Sequence, residues 1–434
     1  MKVLFIEVDT DRPWAVASIG PAFLAASLRA AGHTSELFRA TVDHSPSAVL
    51  EVVRDEAPDL IGFSLTTRQW GRARDLAAFL RQHGDWPVVA GGLHPTFAPE
   101  AVLASAGFDA VCLGEGDHAL VEYVEHLAGR GPPPASNVWL RGGTRPPLRE
   151  PFQPIDGLPF LARDHLDEHR GIVHMSTQRG CPFPCTYCAA RMYDELYESN
   201  GQAYGRRRSV ENVMAELHAV GGRRTSSYVI FLDDTFTLHH PWVRAFCERY
   251  RDEIGVPFSL HARVETVNQR LLETLAAAGC SHVVYGVESG SARVRRDIME
   301  RYATNERFIE VFDWTRQVGI RTTANYMLGL PGETPEDLDE TLALAERLDA
   351  FDFAYFVFYP YPGTRLFQVC RDKGYLPTDW LDRPANHRES ILSLPTLTSE
   401  HIQRAYDRFT ELRAVTHARR GGSSAFIHTE ADCG

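Results

Sequence analysis

Long apolar runs are missing from this sequence. The opening stretch Met1-Lys2-Val3-Leu4-Phe5-Ile6-Glu7-Val8-Asp9 turns acidic after one short apolar run, too short for a signal-peptide core or a membrane span. A cytoplasmic protein with no membrane partner is expected. Positive charge is in deficit too: 45 Lys and Arg stand against 57 Asp and Glu, a formal charge of −12, so the surface as a whole repels nucleic acid and anionic lipid. Cysteine is sparse, eight in 434 residues, and three of the eight fall together at Cys181, Cys185 and Cys188. In a reducing compartment such a cluster signals metal or catalysis sooner than disulfides. No repeat recurs at a period of 20 to 50 residues, which argues against a solenoid.

What is present is ordinary globular usage, 44% hydrophobic and 24% charged, at a length that predicts two or three domains. Residues 1–130 alternate short apolar runs with amphipathic stretches. Strands are expected at 2–7, 35–38, 60–64, 87–90 and 110–113, with helices between them, giving a doubly wound, Rossmann-like α/β domain. Residues 131–165 hold eight prolines and read as a linker, with a small hairpin around Val138-Trp139-Leu140. Residues 166–376 repeat the alternation six times, as a partial, TIM-like (β/α)6 barrel whose function sits at the carboxyl ends of its strands. Residues 377–434 are expected to form a helical extension and a frayed tail.

Cys181-Pro182-Phe183-Pro184-Cys185-Thr186-Tyr187-Cys188 directly follows the first barrel strand, with spacing C-x3-C-x2-C. Three thiolates can hold three irons of a cubane and leave the fourth open to an external ligand. The competing reading is structural zinc, which wants four ligands, commonly in two pairs. The other cysteines are scattered singles, and the nearest extra ligand, His174, lies inside the preceding strand.

This spacing, with aromatic Tyr187 before the last cysteine, resembles the radical S-adenosylmethionine (SAM) superfamily. The resemblance implies a 4Fe-4S cluster on Cys181, Cys185 and Cys188, SAM chelated to the open iron, and an electron donor such as flavodoxin or ferredoxin. It also implies cleavage of SAM to a 5′-deoxyadenosyl radical that abstracts hydrogen from a small-molecule substrate. It places Asp233 and Asp234 near the methionine end of SAM and Arg263 on its carboxylate. It puts Glu288, with neighbouring Ser289, on the ribose hydroxyls or amino group, and Asn325 and Leu330 near adenine. Tyr285, Tyr326, Tyr355, Tyr359 and Tyr361 are candidates to line the substrate pocket.

The first domain resembles the cobalamin-binding domain of one branch of the same superfamily. Its strand-end loops, with Ser64 and Thr66, Gly91 and Gly92, and Gly114, Glu115 and Gly116, are then expected to surround the nucleotide tail of cobalamin. The D-x-H-x-x-G string that supplies a cobalt-ligating histidine in many cobalamin folds is missing. Asp167-Glu168-His169-Arg170-Gly171 is one residue short and lies outside the domain. His33, His83 and His126 read as surface residues. The leading expectation is a cobalamin-dependent radical SAM enzyme, most often a methyltransferase, of natural-product (antibiotic) biosynthesis. The alternative is a radical SAM diol dehydratase whose cobalamin-like domain is not used in catalysis. A third, a cofactor sensor, is disfavoured because open iron and SAM-like loops exceed what sensing needs.

Overall fold

A computed structural model describes residues 1–10, 19–166, 171–199, 201–221, 226–383 and 385–420. The tail beyond residue 420 and the Asp167 to Arg170 string lie outside the described residues.

The first sheet holds β1 (Lys2–Val8), β2 (Thr34–Ala40), β3 (Leu60–Ser64), β4 (Val88–Gly91), β5 (Ala110–Cys112) and β6 (Val138–Leu140), in the order β2-β1-β3-β4-β5-β6. The first five strands run parallel, and alternate residues feed two cores. Leu4, Ile6 and Val8 enter one, Val3 and Phe5 the other, as burial on both faces of a parallel sheet requires.

β6 corrects the expected linker hairpin: Val138–Leu140 pairs antiparallel with β5 as the sixth strand of this sheet. The cause is the buried Asn137, whose amide donates to Leu113 O (2.8 Å) and Glu115 O (3.1 Å) and whose Oδ1 accepts from Arg149 N (2.6 Å). These bonds draw the segment onto the sheet edge. His33 is a second correction. It is buried, with Nε2 2.8 Å from Glu125, so it is not a surface residue.

The second sheet is built from β7 (Ile172–Met175), β10 (Tyr228–Phe231), β11 (Phe258–Ala262), β12 (Cys280–Glu288), β13 (Arg321–Leu328) and β14 (Asp352–Val357), all parallel and paired in that order. β8 (Gln178–Arg179) and β9 (Arg206–Arg207) form a separate antiparallel ribbon. β7 and β14 do not pair with each other, so the barrel is open.

Side chains alternate about this wall. Val229, Phe231, Leu260, Val283, Tyr285, Tyr326 and Leu328 pack outward into the core under the helices. That periodicity overturns three of the five pocket tyrosines. Tyr285 stands against Phe312 (5.2 Å) and Tyr326 against Phe409 (5.1 Å). Tyr355 stacks on Phe409 and donates to Thr410 in the carboxyl-terminal helix Ser399–Arg419. Tyr359 is buried, its hydroxyl donating to Trp380 O. Tyr361 alone of the five borders the central cavity.

Candidate functional site

The cysteine loop leaves the barrel at the carboxyl end of β7, and a carboxylate braces its start. Asp233 is buried and accepts from Thr177 N (2.7 Å), Thr177 Oγ1 (2.6 Å) and Gln178 N (3.0 Å). Its acceptor sites are thus committed to the strand exit. The middle of the loop is pinned elsewhere: Thr186 Oγ1 donates to Ile298 O (2.6 Å), and Leu366 N donates to Thr186 O (3.1 Å). Cys188 then caps the helix Ala189–Glu198, which places its sulfur at a helix amino terminus, where negative charge is favoured.

Each sulfur meets a donor or a positive field. Arg263 Nη1 donates to Cys185 Sγ at 2.9 Å while its guanidinium lies over the Phe183 ring, 3.8 Å from the centroid. Thr235 Oγ1 lies 3.6 Å from Cys181 Sγ. Burial, helped by the nearby Asp234 carboxylate, raises the Cys188 thiol up to about 12, so the pocket as it stands favours thiols; a bound metal would take up the thiolates. Among the described residues, no three His, Cys, Asp or Glu side chains converge as ligands of a single ion. Sulfurs that already meet a guanidinium donor and a helix amino terminus suit a cluster that spreads charge over its sulfurs.

Arg301 was missed in the sequence reading. It follows the short π-helical turn Val294–Ile298, is 4% exposed, and its Nη1 lies 3.2 Å from Tyr187 Oη, 3.8 Å from Glu288 Oε1 and 3.9 Å from Cys185 Sγ. Its Nη2 also donates to Gly286 O. A lone arginine in a helical stretch has no spacing to mark it; only the fold turns it inward.

Glu288 ends β12 on the inner face, at a register shift, with φ +68. A non-glycine residue in the left-handed region is a strained position, held here so that the carboxylate points into the barrel. Burial raises its pKa while Arg301 and a hydrogen bond with Tyr187 pull it down; burial prevails.

The other candidates divide. Asp234 is exposed, its charge bearing on Cys181 and Cys188, and desolvation together with the Asp233 charge pushes it up to about 6. Asn325 stands on the inner face, in register with Gly286. Ser289 is fully buried, its hydroxyl 3.1 Å from Thr341 Oγ1, and Leu330 is fully buried in a hydrophobic cluster, so neither side chain is open to a ligand. The turn at Leu330 is shaped by Glu333, whose Oε2 accepts from Gly329 N (2.7 Å) and Leu330 N (3.1 Å).

Between the two sheets lies a cavity of about 800 Å3. All seven first-domain candidates border it: Ser64, Thr66, Gly91, Gly92, Gly114, Glu115 and Gly116. Tyr187, Cys188 and Met192 border it from the other side. Gly92 has φ +98 and lies so close to the chain that an added Cβ would sit 2.8 Å from Leu65 O.

Two of the seven have side-chain work within the protein. The Thr66 hydroxyl donates to Gln69 Oε1 (3.0 Å). The Glu115 carboxylate accepts from Arg179 (2.8 Å) and Arg206, tying the first domain to the β8-β9 ribbon. Asp117 joins the same clamp. Burial opposes its charge, and Arg179 outweighs it and holds the carboxyl below the usual range.

An open parallel barrel with three cysteines at its mouth, facing a Rossmann-like domain across a shared cavity, defines a class. The chain is a radical SAM enzyme with an amino-terminal B12-binding domain: the Radical SAM superfamily model matches residues 175–345 and the B12 binding domain model residues 11–124.

Among curated relatives, an uncharacterized methyltransferase of Pyrococcus horikoshii is 28% identical over 433 residues, covering 93% of this chain and 90% of its own. The anaerobic magnesium-protoporphyrin IX monomethyl ester cyclase of Rubrivivax gelatinosus is 27% identical, over 86% of this chain and 70% of its own. Of solved structures, the radical SAM methyltransferase TsrM of Kitasatospora setae, with cobalamin and a 4Fe-4S cluster bound, superposes with a TM-score of 0.69 at 17% identity, over 93% of this chain and 81% of its own. The fold is thus shared along nearly the whole chain.

Proposed function

We propose that the enzyme holds cobalamin in the interdomain cavity and methylates a carbon of a small molecule, SAM being cleaved at the cysteine loop. The observation that carries this reading is the single cavity bordered both by the seven first-domain residues and by Cys188. The methyltransferase relative, aligned over 93% of the chain, supports the same outcome.

The residues fit the groups they would hold. Cys181, Cys185 and Cys188 would ligate the cluster, with Arg263 donating to the Cys185 sulfur and Thr235 Oγ1 beside that of Cys181. Glu288, fixed beside Arg301, presents its carboxylate to the hydroxyl or ammonium donors of SAM, and Asp234 stands free to do the same at the methionine end. Arg263 is engaged with Cys185 and Glu265, so its role lies with the cluster more than with the SAM carboxylate. The glycine turns at Gly92 and Gly114 bring bare backbone to the cavity wall. When bound, the cluster supplies the electron that cleaves SAM, and the corrin supplies the methyl group. A flavodoxin or ferredoxin in the cytoplasm would deliver that electron.

The test is the mass of the product formed by reconstituted enzyme with SAM, reductant and hydroxocobalamin. Gain of a methyl group that depends on added corrin is expected. Loss of water without corrin uptake would establish the dehydratase and overturn this reading.

A further inference from the structure

Tyr361 and His387 lie outside both matched domains, yet both border the central cavity. The Tyr361 hydroxyl is 2.7 Å from His387 Nε2, and His387 Nδ1 is 3.3 Å from the carbonyl of Val357. A carbonyl only accepts, so Nδ1 carries the proton, and in the neutral ring Nε2 must then be the acceptor. With the imidazole neutral, the phenol spends its one proton on His387. What remains toward the cavity is a pair of oxygen lone pairs, which accept hydrogen bonds and give none.

The chain goes to some length to hold this ring. His387 has φ +58, in the left-handed region that non-glycine residues rarely adopt. Its carbonyl accepts from Val357 N at 2.8 Å, and the turn is closed by Asn386 Oδ1, which accepts from Arg388 N (3.0 Å) and Glu389 N (3.2 Å). Phe356, Tyr359 and Tyr361 surround the imidazole, with ring centroids 6.0, 6.5 and 5.9 Å away. A strained residue, over-determined by its surroundings and aimed at a cavity, is the form a recognition site takes.

Position favours substrate over cofactor as the partner. Tyr361 follows β14, the last barrel strand, so it belongs to the barrel side of the cavity, within reach of the Arg68 charge of the first domain. The cavity wall includes apolar and aromatic side chains, among them Leu93, Met192 and Tyr193, as well as charged ones such as Arg68.

Resting on the proposed function for the presence of a substrate here, we propose that Tyr361, oriented by His387, recognises a substrate with an apolar, ring-sized frame that carries an N–H or O–H donor. Tyr361 sets specificity and His387 is a positioning residue.

Phenol and anisole serve as probes, because they share a ring and differ in the donor. With protein reconstituted with cluster, SAM and hydroxocobalamin, binding followed by NMR titration is expected to favour phenol about tenfold over anisole. Tyr361→Phe is expected to erase that preference while leaving the anisole affinity in place. In protein labelled with 15N-histidine, the Nε2 resonance of His387 is expected to move in Tyr361→Phe, a response that a purely packing role would not give. Equal affinities in the parent protein, or a preference that survives Tyr361→Phe, would overturn the proposal. Corrin uptake, read from the visible spectrum of the same samples, reports separately on the proposed function.

Discussion

Glu333 shows what a single buried group does to the fold. Its carboxyl is fully buried under the turn after β13, and desolvation pushes its pKa up to about 8 despite two backbone amides that favour the charged form. Because the folded value lies above the unfolded one, the stabilising contribution is complete below about pH 4.5 and is lost as pH rises toward 8. Glu333→Gln keeps an acceptor for Gly329 N and Leu330 N without the charge. At pH 8 it is expected to be more stable than the parent by roughly 2 kcal/mol in urea unfolding, with the gap closing near pH 5. Equal midpoints at both pH values would count against a neutral Glu333. Cluster and SAM are expected to separate in the same way at residue scale. Cys188→Ala should lose the cluster, and Glu288→Gln should keep full iron content while binding SAM about tenfold more weakly, as loss of a charge-assisted hydrogen bond predicts. Arg263→Ala should lose iron as well as SAM affinity, since it removes the donor on Cys185 Sγ; a variant with unchanged iron content would return Arg263 to the SAM carboxylate.

Elements carry the part of the fold that periodicity could reveal. The five expected first-domain strands lie along β1 to β5 within a few residues, and the six alternations expected in the second half return as β7 and β10 to β14, because alternating apolar residues bury one or both faces whatever their neighbours. Periodicity does not say which face looks inward, so Tyr285, Tyr326 and Tyr355 were assigned to a pocket they turn away from. A strand as short as Val138–Leu140 has no period at all; its place depends on the side chain of Asn137. The cysteine motif was legible because its chemistry resides in spacing along one loop. Arg301 and His387 were not, since each reaches the site from a distant segment through a turn with unusual backbone. His94, in the short helix Leu93–Phe97 after β4, is an element-scale prop. It is 1% exposed, stacks on Trp70 (4.8 Å between centroids) and has its pKa lowered by burial to about 4. Here the folded value lies below the unfolded one, so stability is complete above about pH 6.5 and declines as pH falls toward 4. The parent is expected to lose roughly 2 kcal/mol between pH 7 and pH 5 through this group, and His94→Gln should flatten that slope. A slope unchanged by the substitution would remove His94 as its source.

At the scale of the whole molecule, the cavity exists only if the two sheets keep their relative position. The contact that fixes them is ionic and shielded: Glu115 and Asp117 from the loop after β5 meet Arg179 of β8 and Arg206 of β9, with side-chain exposures of 10%, 7%, 14% and 3%. The Tyr197 hydroxyl adds a bond by accepting from Glu115 N at 3.0 Å. In such a setting removal of one partner costs more than the pair contributes, because the remaining charge stays buried. Arg179 would keep Asp117, whereas Arg206 would lose its only carboxylate in this clamp. Glu115→Ala is therefore expected to destabilise the interdomain contact by about 3 kcal/mol, with the damage confined to that contact. Calorimetry should resolve two unfolding transitions in the variant where the parent shows one. The cysteine loop is braced by Asp233, Ile298 and Leu366 and not by Glu115, so iron content should hold. Corrin uptake should fall, since the cavity is bordered from both domains. Gly92→Trp would give a less clean result: its side chain would strain the backbone at φ +98 and press on Leu65, disturbing the fold along with the ligand. If Glu115→Ala keeps a single transition at the parent's temperature and a full corrin spectrum, the clamp does not hold the domains together, and the packing of Phe23 under Arg179 (4.6 Å to the ring centroid) becomes the contact to test next.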